Sequence, residues 1–465
     1  MSNTAEQDHR WVAREFASLD LGDERLNARA QLLVERMVSK PDKSIPQVCA
    51  DWAEAKAAYR FLSNDAVEPE AIRAAVRDAC LQRVERERLV LIVQDTTSLD
   101  FRNHLALKGL GPTGGGDGSD GYGILIHSAI AVSEDGVPLG LLHQVDWVRD
   151  PENVGTRHER KQRSIEDKES FRWIKTMREV KHLVPASVTA IQMADREADI
   201  FELFAEDLPA NQYRLIRAAH NRRISEEAAY LMDAVAAAER VGEFTVTVRR
   251  GNERPPREAH IVVSLCTVTL QPPSHGVHDP GLQPVTLTAI VAQEIHAPAG
   301  QAPVCWILLT DLPVTDFEGA RKCIHYYTQR WLIERYHYTL KSGCRIEKSQ
   351  VRSVHALRRL QVLYSVVALR LLWITYAARA DGDQPCTVAF STVEWQTLYR
   401  YHCPGKPLPT TPPTLRQATR WNRPSRRLPG TSQRSRPGGP SSLERHHAPP
   451  RLRHRSPTPN PPRCG

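Results

Sequence analysis

Residues 89–95 (LVLIVQD) and residues 187–195 (SVTAIQMAD) are two short apolar runs, and each of them ends in an aspartate. Continuous apolar runs of this length are typical of strands that are buried on both faces. Between them lie a hairpin signal, Glu-Asp-Gly at residues 134–136, and a helical stretch at residues 168–184. The order strand, hairpin, helix, strand predicts a mixed α/β core.

The sequence on either side of these runs has other patterns. Residues 1–80 contain three stretches with apolar residues at helical spacing, which predict a small helical N-terminal domain. The core is expected to span residues 81–345, with a β-rich insertion at about 213–312 where strand signals recur. Residues 346–421 predict a helical C-terminal region, with one long helix at about 355–380.

A glycine-rich stretch, GLGPTGGGDGSDGYG at residues 109–123, follows the first apolar run. It contains neither GxxxxGK[ST] nor a GxGxxG placed between a strand and a helix, which are the patterns of phosphate-binding loops. We therefore interpret it as a flexible surface loop.

The last 44 residues, 422–465, differ in kind from the rest of the chain. They contain ten arginines and ten prolines, and no valine, isoleucine, phenylalanine, tyrosine or tryptophan. Such a composition cannot bury enough apolar surface to fold, so a partly disordered C-terminus is predicted. Two explanations remain open: a frameshift near codon 421 or 422 that replaced the original C-terminus, or a natural basic disordered tail.

Net charge and cysteine content place few limits on function. The chain of 465 residues carries a net charge of +8, but residues 422–465 carry +9, so the remainder sums to about −1. The overall charge is therefore no argument for DNA binding, which would need local clusters of basic residues. The nine scattered cysteines contain no CxxC pair and predict free thiols in a reducing cytosol. No run approaches 18 consecutive apolar residues, and no membrane partner is expected.

Asp95 and Asp195 close the two apolar runs. If the two strands are neighbours in one sheet, the two carboxylates lie close together and repel each other unless a cation lies between them. Hard divalent cations such as Mg²⁺ take oxygen ligands and suit phosphate chemistry. The alternative is that each aspartate only caps the helix or turn that follows its strand.

A third acid lies on a long helix predicted at about 317–341. At 100° per residue, Tyr327, Arg330, Glu334 and Lys341 fall within a stripe about 60° wide. A carboxylate among Arg, Lys and a Tyr hydroxyl is typical of a site where an acid works beside an anionic backbone. A solvated helix face with an Arg330–Glu334 ion pair at i,i+4 spacing is the alternative.

With these residues the chain resembles the bacterial cut-and-paste transposases of insertion-sequence family four, which have a DDE-type RNase H-like core. The family signature Y-x2-R-x3-E-x6-K is present as Tyr327, Arg330, Glu334 and Lys341. The strand-D-T-T and D-R-E-A-D contexts of its first two acids match residues 95–97 and 195–199. The resemblance covers about residues 10–421. It implies an α/β fold with an RNase H-like mixed-sheet catalytic core and a β-rich insertion, preceded by a helical domain that binds transposon-end DNA.

Further positions carry over from the same resemblance. Trp306 lies 21 residues before Tyr327, where the family has a Trp that stacks near a flipped base, although an indole in VCWILLT also suits a core. Arg217 lies 22 residues after Asp195, where the family places an Arg on the cleaved DNA end. In the N-terminal domain Arg25 and Arg29 are the implied contacts with the end DNA. They could equally form a solvated face, and Leu26 replaces a basic residue of the family.

The resemblance implies that Asp95, Asp195 and Glu334 hold two Mg²⁺ ions, with Mn²⁺ as a substitute. The reaction would be DNA cleavage, hairpin formation and strand transfer. Expected partners are double-stranded DNA, both transposon ends and target, and a second copy of the chain when DNA is bound. Dimer formation would be impaired by the altered C-terminus, and the location would be the bacterial cytoplasm, at the nucleoid.

Two other functions remain open at this point. A truncated transposase would bind the ends without turnover and act as an inhibitor or a remnant. A nuclease on the same fold would cut DNA without preferring an end sequence.

Overall fold

The computed structural model describes residues 10–114, 121–151, 163–227, 229–248, 256–274 and 281–422. It is a mixed α/β structure built on one ten-stranded sheet with helices packed around it. The strands are β1 Leu89–Asp100, β2 Gly111–Pro112, β3 Tyr122–Ser133, β4 Pro138–Trp147, β5 Thr189–Ala194, β6 Gln212–Arg217, β7 Glu239–Val248, β8 Arg257–Leu270, β9 Val285–Ile295 and β10 Cys305–Thr310.

Thirteen α-helices are present in the described parts of the chain. They are α1 Arg10–Glu15, α2 Glu24–Ser39, α3 Ile45–Val48, α4 Trp52–Leu62, α5 Pro69–Val84, α6 Phe171–Lys181, α7 Phe201–Phe204, α8 Leu231–Ala236, α9 Phe317–Gln329, α10 Trp331–Tyr338, α11 Val354–Ala380, α12 Thr392–His402 and α13 Leu415–Trp421.

The sheet sets the middle of β1 beside the end of β5. Its order is β2-β3-β1-β5-β6-β10-β9-β8-β7, and β4 pairs with β3 beside β2. β1 pairs antiparallel with β3 and parallel with β5, and β5 pairs parallel with β6. The last pair between β1 and β5 is Val93↔Met193. Asp95 and Asp195 each lie two residues beyond that pair, so they reach the same level of two strands that run about 4.8 Å apart.

The β-rich segment continues this sheet. Its first strand signal is β6, which pairs parallel with β5 and therefore belongs to the core. β10 returns antiparallel to β6, and β9, β8 and β7 follow in turn as antiparallel neighbours. The segment between β6 and β10 is therefore an extension of the sheet, and it sets β10 and the helix after it beside the ends of β5 and β6.

The N-terminal helices and the long helix α11 share one hydrophobic core with the sheet. Buried side chains from Val12 in α1 to Leu372 in α11 form one continuous cluster. α11 packs against α2, α4 and α5, and α5 packs against β4. α11 is long and apolar enough to span a membrane, but 72% of its most apolar window is buried within the protein. A core helix passes the same composition test, so this is weak evidence for a membrane span.

The predicted long helix at 317–341 is irregular in its last turn. α9 ends at Gln329, α10 starts at Trp331, and Thr339–Gly343 form a π-helical turn. In this turn the amide of Cys344 donates to the carbonyl of Thr339 over 2.7 Å. Arg330 keeps right-handed helical dihedral angles, so the chain stays helical from Phe317 to Gly343, as expected, and only the last turn departs from regular i→i+4 bonding.

Two other expectations concern the glycine-rich loop and the cysteines. Residues 115–120 of that loop, and the tail from residue 423, lie outside the described residues. Among the described cysteines seven are free thiols. Cys305 is disulfide-bonded, so the expectation of free thiols throughout is wrong at this position.

Candidate active site

Asp95 and Asp195 lie at the centre of the site. Asp95 is in β1, and its Oδ1 accepts a hydrogen bond of 2.8 Å from the amide of Thr96. Asp195 follows β5 and caps the short 3₁₀ turn Arg196–Ala198, accepting 2.9 Å from the amide of Glu197. Asp195 therefore caps the turn after its strand, as the alternative explanation expected. It also lies at the same level of the sheet as Asp95. Burial raises the pKa of the Asp195 carboxyl and the charge of Asp95 raises it further, whereas the hydrogen bond from Glu197 lowers it.

Glu334 reaches the site on α10. Its carboxylate is held by the guanidinium of Arg330, one turn earlier, in an i,i+4 ion pair. The same Arg330 lies near Asp195, whose pKa its charge lowers. One turn after Glu334, the Nδ1 atom of buried His337 lies 3.6 Å from the Oδ2 atom of Asp95. α10 therefore lies against β1 at Asp95, and the three predicted acids border one region.

The donor chemistry of this region suits divalent cations only in part. Two carboxylates that border one site are hard oxygen ligands, and a cation between them would relieve their repulsion. Among the described residues, however, no three acidic, histidine or cysteine side chains come close enough to hold one metal ion. The carboxylate of Glu334 is paired with the guanidinium of Arg330, which competes with a cation for its oxygens. Asp95 and Asp195 fit the metal expectation, and Glu334 fits it only once Arg330 turns away.

A cationic and aromatic cluster borders the acids. The guanidinium of Arg330 lies 5.8 Å from the centre of the Tyr327 ring. The indole of Trp306 meets the same ring edge-on, with 5.2 Å between the ring centroids. Arg217, at the end of β6, donates 3.0 Å to the carbonyl of Cys305. The structure thus brings Arg217 and Trp306, from two other segments of the chain, to the neighbouring residues Tyr327 and Arg330.

The electrostatics of this cluster favour an anion. Burial lowers the pKa of Arg217, and the positive charges of Arg196 and Arg330 lower it further. Burial also raises the pKa of Tyr327 to about 12, so its hydroxyl stays protonated at neutral pH and can donate a hydrogen bond. Several guanidinium groups that repel each other would be stabilised by a phosphate group. Arg196 was not predicted from the sequence, although it lies directly after Asp195 in the D-R-E-A-D motif.

Lys341 has a different environment from the other signature residues. It lies in the π-helical turn, and its Nζ atom is 3.8 Å from Oε1 of Glu347. Glu347 in turn accepts a hydrogen bond of 2.9 Å from the amide of Asp100, at the end of β1. The side chain of Lys341 is therefore held towards the end of β1, away from the Arg330–Glu334 pair. Arg330 contacts both Tyr327 and Glu334, so these three residues share one helix face as expected, whereas Lys341 lies in the π-helical turn.

Arg172, at the start of α6, is a site residue that sequence reasoning missed. Its Nε donates 2.8 Å to Oγ1 of Thr96, and its terminal nitrogen donates 2.8 Å to Oε2 of Glu197. One guanidinium thus touches the residue after Asp95 and the second residue after Asp195. The only sequence signal is the helical stretch that carries it, which gives no indication of where its N-terminus would dock.

The two N-terminal arginines lie on α2. Arg25 is at the start of the helix with 90% of its side chain exposed, and it pairs with the N-capping residue Asp23. Arg29, one turn later, is partly exposed, and Leu26 packs against the hydrophobic core. Both arginines reach the surface, where an anionic partner could contact them, and the guanidinium of Arg25 also donates to Asp23.

A comparison with known families bears on this N-terminal part. Residues 8–67 match a family model described as transposase DNA-binding. The matched segment contains α1 to α4 and ends before the sheet begins. The match supports a transposase and makes DNA a partner of the chain, and it does not extend to the acidic site.

Proposed function

We propose that this chain is a DDE-type transposase of the cut-and-paste class resembling insertion-sequence family four. The observation that carries the proposal is that Asp95, Asp195 and the helix bearing Glu334 border one region, beside a cluster of arginines. The order β4-β3-β1-β5-β6, with an antiparallel half and a parallel half, supports an RNase H-like core. The family match at residues 8–67 supports DNA as the substrate.

The roles of the basic and aromatic side chains follow from their positions. Arg330, Arg217 and Arg196 would bind phosphates next to the scissile bond through charge-assisted hydrogen bonds. Tyr327, protonated at neutral pH, would donate to a phosphate oxygen. The indole of Trp306 offers an edge of the site on which an extruded base could stack, an interaction worth about 1–3 kcal/mol per base.

Binding of DNA would also rearrange the acids. When Arg330 turns to a phosphate, Glu334 loses its partner and joins Asp95 and Asp195 as an oxygen ligand. These three carboxylates would then hold two Mg²⁺ ions, or Mn²⁺ in their place. Divalent ions at such a site supply a nucleophilic water and stabilise the leaving 3′ oxygen. In the later steps the freed 3′-OH would attack the phosphodiester of the opposite strand, which forms a hairpin and releases the flanking DNA with a 3′-OH. Water would then hydrolyse the hairpin and regenerate the 3′-OH, which would attack a target phosphodiester and displace the 3′-OH of the target strand.

The α2 face with Arg25 and Arg29 would bind the transposon ends. A second copy of the chain on the DNA, and a location at the bacterial nucleoid in the cytoplasm, form part of the proposal. Neither bears on the chemistry of the acidic site.

The experiment that tests the proposal uses the inverted repeats that flank the gene. The purified chain should shift DNA that carries these ends and cut it in Mg²⁺, while Asp95→Ala should bind equally and cut at least a thousandfold more slowly. Asp233→Ala, a change at an exposed aspartate of α8, is the matched control. Cleavage by Asp95→Ala at the control rate would refute the assignment of the site.

One observation favours a second candidate function, an end-binding inhibitor or remnant without turnover. Glu334 is paired with Arg330, and the described residues form no three-ligand metal group. Such a protein would bind the ends with the expected preference and cut neither DNA strand at any Mg²⁺ concentration. A non-transposition nuclease would instead cut without any preference for the end sequence.

A further inference from the structure

The guanidinium of Arg172 lies between the two segments that carry the aspartates. It donates to Thr96 on the β1 side and forms an ion pair of 2.8 Å with Glu197 on the β5 side. Only 16% of its side chain is exposed. A planar fork with fixed donors determines the distance between its two partners better than a flexible ammonium would.

The side chain itself is held in place by two indoles. Its guanidinium carbon lies 5.9 Å from the ring centre of Trp147 and 5.5 Å from that of Trp173. Cation–π contacts of this kind fix the guanidinium where little water competes. Arg172 is therefore a rigid link between the segments.

A chain of buried polar groups supports Thr96 from behind. The Thr96 hydroxyl lies 2.9 Å from Nδ1 of His127, and Nε2 of His127 lies 3.3 Å from Oε1 of Gln94. From Gln94 the hydrogen bonds cross the sheet through three strands and end on the helix that carries Arg172. Their partners, in order, are Gln192 of β5, Gln212 of β6 and the carbonyl of Lys181 in α6.

The charge of Arg172 also acts on the acids. Glu197 and Asp95 both raise the pKa of Arg172 against the lowering effect of its burial, which places its positive charge near them. Glu197 adds a third negative charge near Asp95 and Asp195, the two acids proposed to accept cations. A fixed positive charge beside them stabilises the metal-free protein, and it reduces the affinity for cations because like charges repel.

We propose that Arg172 is a positioning residue, which holds the Asp95 and Asp195 segments at a fixed separation and offsets part of their negative charge. This inference rests on the proposed function and deepens it. It predicts a combination of effects that a general loss of folding would not produce, namely tighter cation binding together with slower cleavage.

The test compares Arg172→Gln, Arg172→Lys and the matched control Arg178→Gln, in full-length protein. Arg178 lies on the same helix, is 49% exposed and pairs with Glu206, away from the acids. Mn²⁺ affinity is measured by calorimetry without DNA, and cleavage of end DNA is measured under single-turnover conditions at saturating Mn²⁺. Thermal unfolding of the metal-free proteins checks that the variants fold.

Arg172→Gln should bind Mn²⁺ at least threefold more tightly and cut at least tenfold more slowly than the wild type. Arg172→Lys keeps the charge and loses the fork, so its Mn²⁺ affinity should stay near wild type while cleavage still slows. Glu197→Gln should slow cleavage as Arg172→Gln does. The double variant Arg172→Gln/Glu197→Gln should cut no more slowly than Arg172→Gln alone, because both changes break the same ion pair.

Unchanged Mn²⁺ affinity in Arg172→Gln, or rate losses that multiply in the double variant, would overturn the proposal. A wild-type protein that binds Mn²⁺ without cutting end DNA would count against the proposed function. In that case the Mn²⁺ affinities of Arg172→Gln, Arg172→Lys and Arg178→Gln still decide whether Arg172 acts on the cation site.

Discussion

Without metal, Asp195→Asn should be more stable than the wild type. With a bound divalent cation, the wild type should be the more stable of the two proteins. Asp195 lies at the end of β5, and burial and the charge of Asp95 together raise the pKa of its carboxyl. A carboxyl whose pKa is higher in the folded protein than in the unfolded chain destabilises the folded state at pH values above that pKa. The destabilisation is lost as the pH falls through the raised pKa, because the carboxyl is then protonated.

The expected change in stability has two parts, one from the charge of Asp195 without metal and one from the binding of Mn²⁺. Asparagine removes the charge and keeps an oxygen that can accept the hydrogen bond from Glu197. Without metal at pH 7.5, Asp195→Asn should therefore be more stable than the wild type, and each unit by which the pKa of Asp195 is raised corresponds to about 1.4 kcal/mol. With Mn²⁺ at a hundred times its dissociation constant, the wild type should gain about 2.7 kcal/mol, and the variant should gain much less.

Urea unfolding, followed by fluorescence with and without Mn²⁺, measures both differences. Asp207→Asn is the matched control, since that aspartate is exposed and should respond to Mn²⁺ like the wild type. As the pH is lowered through the raised pKa of Asp195, the advantage of Asp195→Asn over the metal-free wild type should shrink. A variant that is less stable than the wild type without metal, or that gains as much from Mn²⁺, would refute the reasoning.

Three further outcomes are expected. Arg25→Ala should weaken binding of end DNA and reduce the slope of log affinity against log salt by about one, as gel shifts over a salt series would show; an unchanged slope would exclude a phosphate contact. Tyr336→Phe should lower the free energy of unfolding by about 1–3 kcal/mol, because it leaves a buried N–H of Gln144 without its acceptor at 2.9 Å; the exposed Tyr401→Phe is the control, and equal losses would contradict the prediction. Burial lowers the pKa of His127 well below 6.5, so the protein should lose stability as the pH falls below 6.5, and His127→Gln should show a smaller loss in urea unfolding between pH 7 and pH 5.

The sequence by itself determined the elements whose signals are local. The run at 187–195 is the strand β5, and the run at 89–95 is the first half of β1, because buried strands need continuous apolar residues over a few positions. The expected strand end at Asp95 is wrong, since β1 continues to Asp100 in its pairing with β3. The helical N-terminal stretches and the long helix near residue 355 were predicted from apolar spacing in the same way, and all are present. The positions of Asp95 and Asp195 at the ends of their runs followed from the pattern alone.

Only the tertiary structure decided how these elements meet. A parallel register between β1 and β5 is a choice among strands that are nearly 100 residues apart, and no local pattern specifies it. The same holds for the β-rich segment, which joins the central sheet through the pairing of β10 with β6. The π-helical turn after Tyr338 has no periodicity signal, because Thr339 and its neighbours are compatible with an ordinary helix.

The roles of single polar residues depended most on the fold. Arg172 belongs to the site because α6 docks with its first turn between Thr96 and Glu197, and a helical pattern gives the face of a helix but not its destination. Lys341 lies in the predicted stripe, and its Nζ atom is 3.8 Å from Glu347, a residue that the stripe did not include. Long-range packing determines which side chains meet, and a single sequence records only the short-range part of that information.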